Sequence, residues 1–345
     1  MKDIQIPTMP IRFPKVERDY PIPEKENLLL ALHHQKPMWM PNITTSSLVA
    51  PSNGYGDTAD TNPPKNNYTD SYGVLYEYSE AQGSATPVTT VLSEIGEWRE
   101  KIKWPDLDKP DWQNMAAGFV RDETRALYGR VGIGCFERLH TLMGFEQTLM
   151  DLISEPEECR AFFEAYADYK IEVFKRMIRL YPYDYLMLND DWGTAHGPFF
   201  STDLFEETIL PPTVRMIKAI HEYGIQVIFH SCGLIDTFVP YLVENIGADI
   251  LQIQTINDIK SMLQTYGGRL TVEYQSPDPY ILYDPETTEE QIRLLARQIV
   301  DTYGAQANPG GGCVVAVSAP TAEVYNIFNE EMYTYSLYQY KHLTR

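Results

Sequence analysis

Two metal-ligating residues, His230 and Cys232, stand two positions apart in the segment IQVIFHSCG. Alternate residues of an extended segment point to the same side, so an imidazole nitrogen and a thiolate can bind one metal ion there, and zinc suits this donor pair. A third ligand must come from elsewhere. Cys313 would complete a zinc set with an open fourth position, or it is a buried apolar residue near the start of the last strand; Glu273 and Asp191 are the alternative ligands.

Three acidic residues follow the ends of predicted strands and are candidates for acid-base chemistry. Asp190 and Asp191 are adjacent, and neighbouring carboxylates raise one another's pKa when both face a dry pocket. Alternation along a strand favours one of the two pointing inward while the other caps a helix or pairs with a cation. Glu273 follows another apolar run. We predict Asp190, Asp191 and Glu273 as catalytic residues, either protonating the substrate or supporting the metal ligands.

Aromatic and polar residues near these positions are predicted to bind a substrate. The chain has 24 Tyr and 24 Pro, many of them before residue 115. Bulky phenols in a proline-rich loop often line a small-molecule pocket, although aromatic packing in a core is the commoner cause. The predicted substrate-binding residues are Asn42, Tyr72, Tyr76, Trp192, His196 and Gln254.

The scaffold must bring these strand ends together. From about residue 115, short apolar runs alternate with amphipathic stretches, which predicts parallel strands covered by helices. The predicted strands are YGRVGIGCF, YDYLMLN, IQVIFH, ADILQIQ, GRLTVEY, GCVVAVS and, earlier in the chain, KPMWMPN. We predict an α/β fold, a (β/α)8 TIM barrel with a long N-terminal loop insertion, whose chemistry lies at the C-terminal ends of the strands. A doubly wound sheet is the alternative, but the chain has neither GxGxxG nor GxxxxGK[ST].

Composition limits the domain count and the partners. The 345 residues suit one barrel, residues 24–345, preceded by a proline-rich N-terminal arm, residues 1–23, that would wrap the body or the second subunit of a homodimer. A net charge of -20 repels phosphate backbones and anionic lipids, so we expect neither nucleic acid nor a membrane as a partner. Four widely spaced cysteines and the absence of an apolar leader predict a cytoplasmic protein.

Three stretches resemble a known family: DDWGTAHGPFFSTDLFEETILPP, HEYGIQVIFHSCGLIDTFVPYLVENIGADILQIQ and LQTYGGRLTVEY are similar to the uroporphyrinogen decarboxylase-like superfamily. The resemblance runs from about residue 24 to the C-terminus and implies a (β/α)8 barrel. The founding decarboxylase holds its substrate's carboxylates with an arginine-rich N-terminal segment. The equivalent segment here, MWMPNITTSS, has no arginine, so we do not expect porphyrinogen decarboxylation.

Within this superfamily, HSCG resembles the cobalamin-dependent methyltransferases. Members of that branch bind zinc through a His-x-Cys pair and a later Cys, and they exchange methyl groups with a corrinoid. His230 and Cys232 match the pair, whereas the later Cys follows the last strand in the family, where this chain has Val317-Ser318-Ala319, and Cys313 falls earlier.

The resemblance implies a zinc-assisted methyltransferase that moves a methyl group between a small methylated compound and a corrinoid supplied by a partner protein. A methoxylated aromatic donor, and thus O-demethylation, is favoured by the tyrosine-rich loop; methylated thiols and amines are the other donors. Two further hypotheses stay open. One is a metal-free decarboxylase of a small acid that uses Asp190 or Asp191 to protonate a carbanion, and the other is a non-catalytic barrel that binds a small molecule or a corrinoid.

Overall fold

The structure is a computed structural model that describes residues 18–52, 54, 57, 64–81, 83–275, 279–304, 307–308 and 312–342. Most of the predicted N-terminal arm, residues 1–17, lies outside the described residues. The strands are β1 Ser47–Val49, β2 Tyr68–Thr69, β3 Leu75–Ser79, β4 Ser84–Pro87, β5 Ala126–Ile133, β6 Tyr185–Asn189, β7 Gly193–Thr194, β8 Gly197–Pro198, β9 Gln226–Ser231, β10 Ile250–Ile253, β11 Thr271–Gln275 and β12 Cys313–Ala316.

The helices lie between and after these strands. They are α1 Glu24–Leu32, α2 Ile43–Ser46, α3 Trp98–Lys101, α4 Trp112–Ala116, α5 Cys135–Met143, α6 Phe145–Ser154, α7 Pro156–Ile178, α8 Thr202–Leu204, α9 Leu210–His221, α10 Val239–Tyr241, α11 Ile259–Tyr266, α12 Pro279–Tyr283, α13 Glu289–Tyr303 and α14 Ala322–His342. The chain divides into two compact units. We call Val49–Arg121 with Leu127–Ala248 the central unit, and the described residues of Met1–Leu48, Asp122–Ala126 and Asp249–Arg345 the terminal unit.

Three parallel strands form the core of the central unit. β5 pairs with β6 and β6 with β9, and Asn189 lies opposite His230 in the register. The first four residues of β6 are buried, as expected for a strand covered on both faces. The covering helices include α7, which begins with Pro156 at its first position, where the missing N–H costs no hydrogen bond, and packs against α9.

The long N-terminal insertion contains an antiparallel sheet within the central unit. Its strand order is β2-β3-β4, and Tyr76 of β3 pairs with Tyr68 of β2. The two phenol rings stack at 5.0 Å between centroids, a cross-strand aromatic contact that helps to hold these short strands together.

The terminal unit repeats the parallel arrangement, with β10 paired to β11 and β11 to β12. Helix α13 begins with a capping box formed by Thr288 and Gln291, and it packs along α14. The predicted strand KPMWMPN is not a strand. It makes one parallel bridge, Asn42 to Val315, because prolines at positions 37 and 41 have no N–H to give to a ladder.

The fold is α/β of the TIM-barrel type, as predicted, with parallel strands that alternate with helices. One boundary differs from the prediction: β5 ends at Ile133 and Cys135 begins α5, so the run YGRVGIGCF joins the end of a strand to the start of a helix. In the described part of the chain, no helix has both the length and the apolar character needed to cross a membrane.

Candidate metal and active site

The candidate site lies in the central unit, where β6 and β9 end side by side. The backbone N–H of Asp190 donates to the carbonyl oxygen of His230 at 2.9 Å, which ties the two strand ends together. The backbone N–H of Trp192 donates to the Ser231 hydroxyl at 3.0 Å. These two bonds fix the positions of the residues after β6 relative to those at the end of β9.

Asp191, His230 and Cys232 form a group that could hold a metal ion. Each offers one ligand atom, and these atoms all lie within 4.8 Å of one another. His230 Nε2 is 3.5 Å from Asp191 Oδ1 and 3.4 Å from Cys232 Sγ. The Cys232 backbone N–H also donates to Asp191 Oδ1 at 2.7 Å, which orients this carboxylate toward the His230–Cys232 pair.

The turn after Cys232 requires a glycine, because it packs closely against the backbone of Gly193. Gly233 has a φ of 87°, and a Cβ at this position would lie 2.1 Å from the carbonyl carbon of Gly193. Only a residue without a side chain allows this approach. The last residue of HSCG is therefore required by the backbone, while His230 and Cys232 supply the donors.

The two adjacent aspartates have different surroundings. Asp190 is buried, and its carboxylate accepts the backbone N–H groups of Glu137 at 2.8 Å and Phe136 at 3.2 Å, so it caps the N-terminus of α5. The residue before α5 is Gly134, whose Cβ would lie 2.5 Å from Asp190 Cγ. Burial raises the pKa of Asp190 to about 7, and the two N–H bonds oppose this shift.

Glu137 is a further acidic residue at this site, and the sequence did not single it out as a site residue. It lies in the first turn of α5, and the backbone N–H of Asp191 donates to its carboxyl group. Its Oε2 atom is buried and has no hydrogen-bond partner among the described residues. Burial, followed by the charges of Asp191 and Asp190, raises the pKa of Glu137 well above its usual value.

The pKa of the Cys232 thiol is also raised, by burial and by nearby carboxyl groups. Burial and the Asp191 carboxylate raise its pKa to about 12. Glu137 adds to this shift. The site thus collects acidic groups whose charged forms are disfavoured, and a bound cation would favour the thiolate.

Two predicted substrate-binding residues lie in the core of the central unit. Trp192 is fully buried among Phe205, Phe229 and Phe238, and its ring centroid is 4.6 Å from that of Phe229. Tyr72 is also buried. Its hydroxyl donates to Asp57 Oδ2 at 2.7 Å, and its ring lies 4.3 Å from the Arg138 guanidinium carbon. Both rings pack against protein in this structure, and their role in substrate binding stays a prediction.

The other two predicted substrate-binding residues of this unit are more accessible. Tyr76 is half-buried on β3, and burial raises its pKa to about 12. His196 is exposed between β7 and β8, where its backbone N–H donates to the Thr194 hydroxyl at 3.0 Å. For both, the role in substrate binding stays a prediction.

The remaining predicted residues belong to the terminal unit. Glu273 is buried on β11 and accepts a hydrogen bond from Gln252 Nε2 at 2.7 Å. Gln254 is exposed just after β10. Asn42 caps α2 by accepting from the Thr44 N–H at 2.9 Å, and its amide donates to Asn329 at 2.6 Å, so both ends of its side chain hold the fold.

Cys313 begins β12, and burial raises the pKa of its thiol well above the usual range. The three-residue group that the structure brings together contains Asp191, not Cys313. Asp191 is therefore the third ligand that the geometry supports.

Comparisons with known proteins agree with this fold. The family model "Uroporphyrinogen decarboxylase (URO-D)" matches residues 116–328. A solved structure described as a methyltransferase from Methanosarcina mazei is similar, with a TM-score of 0.61 and 13% identity over 93% of this chain and 99% of that one. At this identity the likeness is one of fold.

A second solved structure is more distant. It is a candidate vitamin-B12-independent methionine synthase from Listeria monocytogenes, with a TM-score of 0.37 and 11% identity over 63% of this chain and 64% of that one. No curated protein matches the sequence.

Proposed function

Because the chain belongs to the uroporphyrinogen decarboxylase (URO-D) family, we propose that it is a methyltransferase whose site holds zinc. It would move a methyl group between a small methylated compound and the cobalt of a corrinoid carried by a partner protein. The observation that carries the proposal is the group of Asp191, His230 and Cys232 at the ends of β6 and β9. The similar fold of a methyltransferase over nearly the whole chain supports it.

The residues present fit a zinc ion. Imidazole nitrogen, thiolate sulfur and carboxylate oxygen are the donors that zinc takes in proteins, and three protein ligands leave one position for a substrate. The raised pKa of the Cys232 thiol beside Asp191 also fits, since a cation between these groups would remove the cost of ionising the thiol.

When bound, zinc would supply a Lewis acid for the heteroatom that loses the methyl group, and the corrinoid would supply the methyl acceptor. The chain's own residues hold the arrangement. Asp190 fixes the start of α5 by capping it, and α5 in turn places Glu137 beside Asp191. The Cys232 N–H holds the Asp191 carboxylate in its orientation toward the His230–Cys232 pair.

The first test is the metal content of protein purified without chelator, measured by elemental mass spectrometry. We expect about one zinc per chain in the wild type and its loss in His230→Ala. The matched control is His221→Ala at the end of α9, outside the site, which should keep the metal. Equal zinc in both variants, or no metal in the wild type, would remove the metal centre from the proposal.

The second test is turnover. The zinc-loaded protein is mixed with Co(I) corrinoid and one methyl donor at a time, including methoxylated aromatics, thiols and amines, and methylcobalamin is followed by its absorbance. Formation of methylcobalamin that His230→Ala abolishes supports the proposal. A complete lack of methylcobalamin with every donor class contradicts it.

A decarboxylase of a small acid is the second candidate function. It is favoured by the family model and by the three acidic side chains Glu137, Asp190 and Asp191, which could protonate a carbanion. Carbon dioxide release from small carboxylic acids, without metal and without a methyl acceptor, would identify this reaction. Methyl transfer without carbon dioxide release would exclude it.

A further inference from the structure

One guanidinium of the central unit, that of Arg130 on β5, has no partner in the described part of the chain. The Arg130 side chain is half-buried, and its Nε atom is buried without a hydrogen-bond acceptor among the described residues. Within those same residues it forms no ion pair and no ring contact. An arginine side chain is always charged, and a charge removed from water is costly unless an anion pairs with it. Arg130 therefore offers a positive group to a ligand.

The strand register places Arg130 on the sheet face that carries the candidate metal group. Arg130 of β5 lies opposite Met187 of β6, and Met187 lies opposite Ile228 of β9. Residues paired across a parallel ladder share a face, and every second residue of a strand returns to that face. His230 is two residues after Ile228, so it lies on the face of Arg130 and nearer to the strand ends.

The spacing of the strands sets the length of a ligand that reaches both residues. Two residues of a strand span about 7 Å, and β5 and β9, on either side of β6, are about 10 Å apart. The Cα atoms of Arg130 and His230 are therefore on the order of 12 Å apart. One row deeper on the same face, the buried rings of Tyr128 and Tyr185 stack at 5.0 Å between centroids. A small ligand can thus extend from the metal group to Arg130, and these rings close the face below.

The charge on this face favours a carboxylate among the anions. Guanidinium groups bind carboxylates and phosphates through two parallel N–H bonds. Arg130 is the only arginine or lysine in β5, β6 and β9, and the whole chain carries a net charge of -20. One guanidinium balances the single charge of a carboxylate, whereas a phosphate group would leave negative charge uncompensated on a half-buried surface.

We propose that the methyl donor of this site carries a carboxylate, which Arg130 binds while the methylated heteroatom lies at the metal group. This inference rests on the proposed methyl transfer. It narrows the donor from any small methylated compound to a methylated acid, and it applies equally to oxygen, sulfur and nitrogen as the heteroatom.

The test compares methylated acids with their neutral primary amides, which have nearly the same shape. The acids are para-methoxybenzoate, methylthioacetate and dimethylglycine, one for each heteroatom. Binding of each acid and of its amide to the zinc-loaded protein is measured by isothermal titration calorimetry. We expect at least one acid to bind at least about tenfold more tightly than its amide. Equal affinities within every pair, or no binding of any acid, would overturn the inference.

Variants assign the preference to Arg130. Arg130→Gln should reduce the affinity for the preferred acid by about tenfold or more and leave that for its amide unchanged, whereas a structural defect would weaken both. Arg130→Lys keeps the charge without the planar fork and should lose less. The matched control is Arg179→Gln, at the exposed C-terminal end of α7, which should keep the preference. An unchanged preference in Arg130→Gln would show that another group, such as the zinc ion, binds the carboxylate.

Turnover separates this inference from the proposed function. Methylcobalamin formed from the neutral amides as readily as from the acids would contradict the role of Arg130 and leave the proposed methyl transfer standing. Binding of an acid that depends on Arg130, with no methylcobalamin from any donor, would contradict the methyl transfer and leave the carboxylate site standing.

Discussion

Two adjacent residues of α5, Glu137 and Arg138, belong to two different clusters of ionisable groups. The Arg138 cluster contains both acidic and basic groups, and the Glu137 cluster contains only acidic ones. On the Arg138 side, the buried guanidinium pairs with Asp57 and Asp70 and lies over the ring of Tyr72. The buried Lys170 ammonium donates to the carbonyl oxygen of Asp57 at 3.0 Å, and burial lowers its pKa to about 8. Acidic and basic groups are brought together here, and they attach Asp57 to α5 and α7.

The cluster around Glu137 consists of acidic groups: Glu137, Asp190, Asp191 and the Cys232 thiol. Burial, with the charges of Asp191 and Asp190, raises the pKa of Glu137, and burial with the charge of Asp191 raises the pKa of Asp190. Burial, Asp191 and Glu137 raise the pKa of the Cys232 thiol. Ionising all of these groups destabilises the folded chain unless a cation binds, whereas the Arg138 cluster contains its own counter-charge. The two clusters differ in whether the described part of the protein supplies the counter-charge itself.

The largest effect should come from breaking the paired cluster. Arg138→Met leaves the Asp57 carboxylate buried without its cation, and we expect the free energy of unfolding to fall by about 4 kcal/mol. Urea unfolding measures this change. The control is Arg99→Met, which removes the exposed ion pair with Glu158 and should cost far less. Equal losses in the two variants would mean that the Arg138 cluster is no more structural than a surface pair.

The next effect concerns Asp190 and depends on pH. Its folded pKa of about 7 lies above the ordinary 3.8, so between these values the folded state holds a proton that the unfolded state has lost. Stability therefore falls as pH rises through this window, and the loss is complete above the folded pKa. Asn carries no charge and keeps one carbonyl oxygen, which can accept the Glu137 N–H, whereas its amide nitrogen cannot accept the Phe136 N–H. The lost bond lowers the stability of Asp190→Asn equally at both pH values, and relative to the wild type the variant should gain about 3 kcal/mol between pH 4 and pH 8.

Urea unfolding of zinc-free protein at the two pH values measures this difference between variant and wild type. Asp203→Asn, at an exposed position in α8, serves as the control and should show no gain between the two pH values. A difference of the same size at both pH values would show that Asp190 does not titrate in this window, and its carboxylate would then belong with the structural charges.

The sequence alone predicted those features of the fold and the site that depend only on the spacing of residues. Apolar runs identified the parallel strands. The His-x-Cys spacing identified two of the three residues of the candidate metal group, because alternate side chains of a strand point to one side. Residue type alone did not separate a pocket wall from a core: Trp192 and Tyr72 are buried aromatic residues, and their sequence pattern would be the same in either place.

Helix α5 shows a second limit. The run YGRVGIGCF is apolar through both the end of β5 and the start of α5, and a short apolar run does not reveal where a strand gives way to a helix. In the sequence, Glu137 directly follows this apolar run, and the run does not reveal which residues lie beside it in the fold. Its contact with Asp191 depends on the Asp190 cap, which joins residues far apart in the chain.

The smallest expected effect belongs to the variants that test whether Asp191 or Cys313 is the third metal ligand beside His230 and Cys232. Asp191→Asn should weaken zinc binding by about 10–100-fold, or about 1.4–2.8 kcal/mol, because a neutral amide replaces the anionic oxygen that lies 3.5 Å from His230 Nε2. Cys313→Ala is the informative partner variant, since Cys313 is buried at the start of β12 and outside the grouped ligands. Competition with a zinc chelator gives both affinities. If Cys313→Ala loses the metal while Asp191→Asn keeps it, the ligand set is His230, Cys232 and Cys313, and Asp191 is not a ligand.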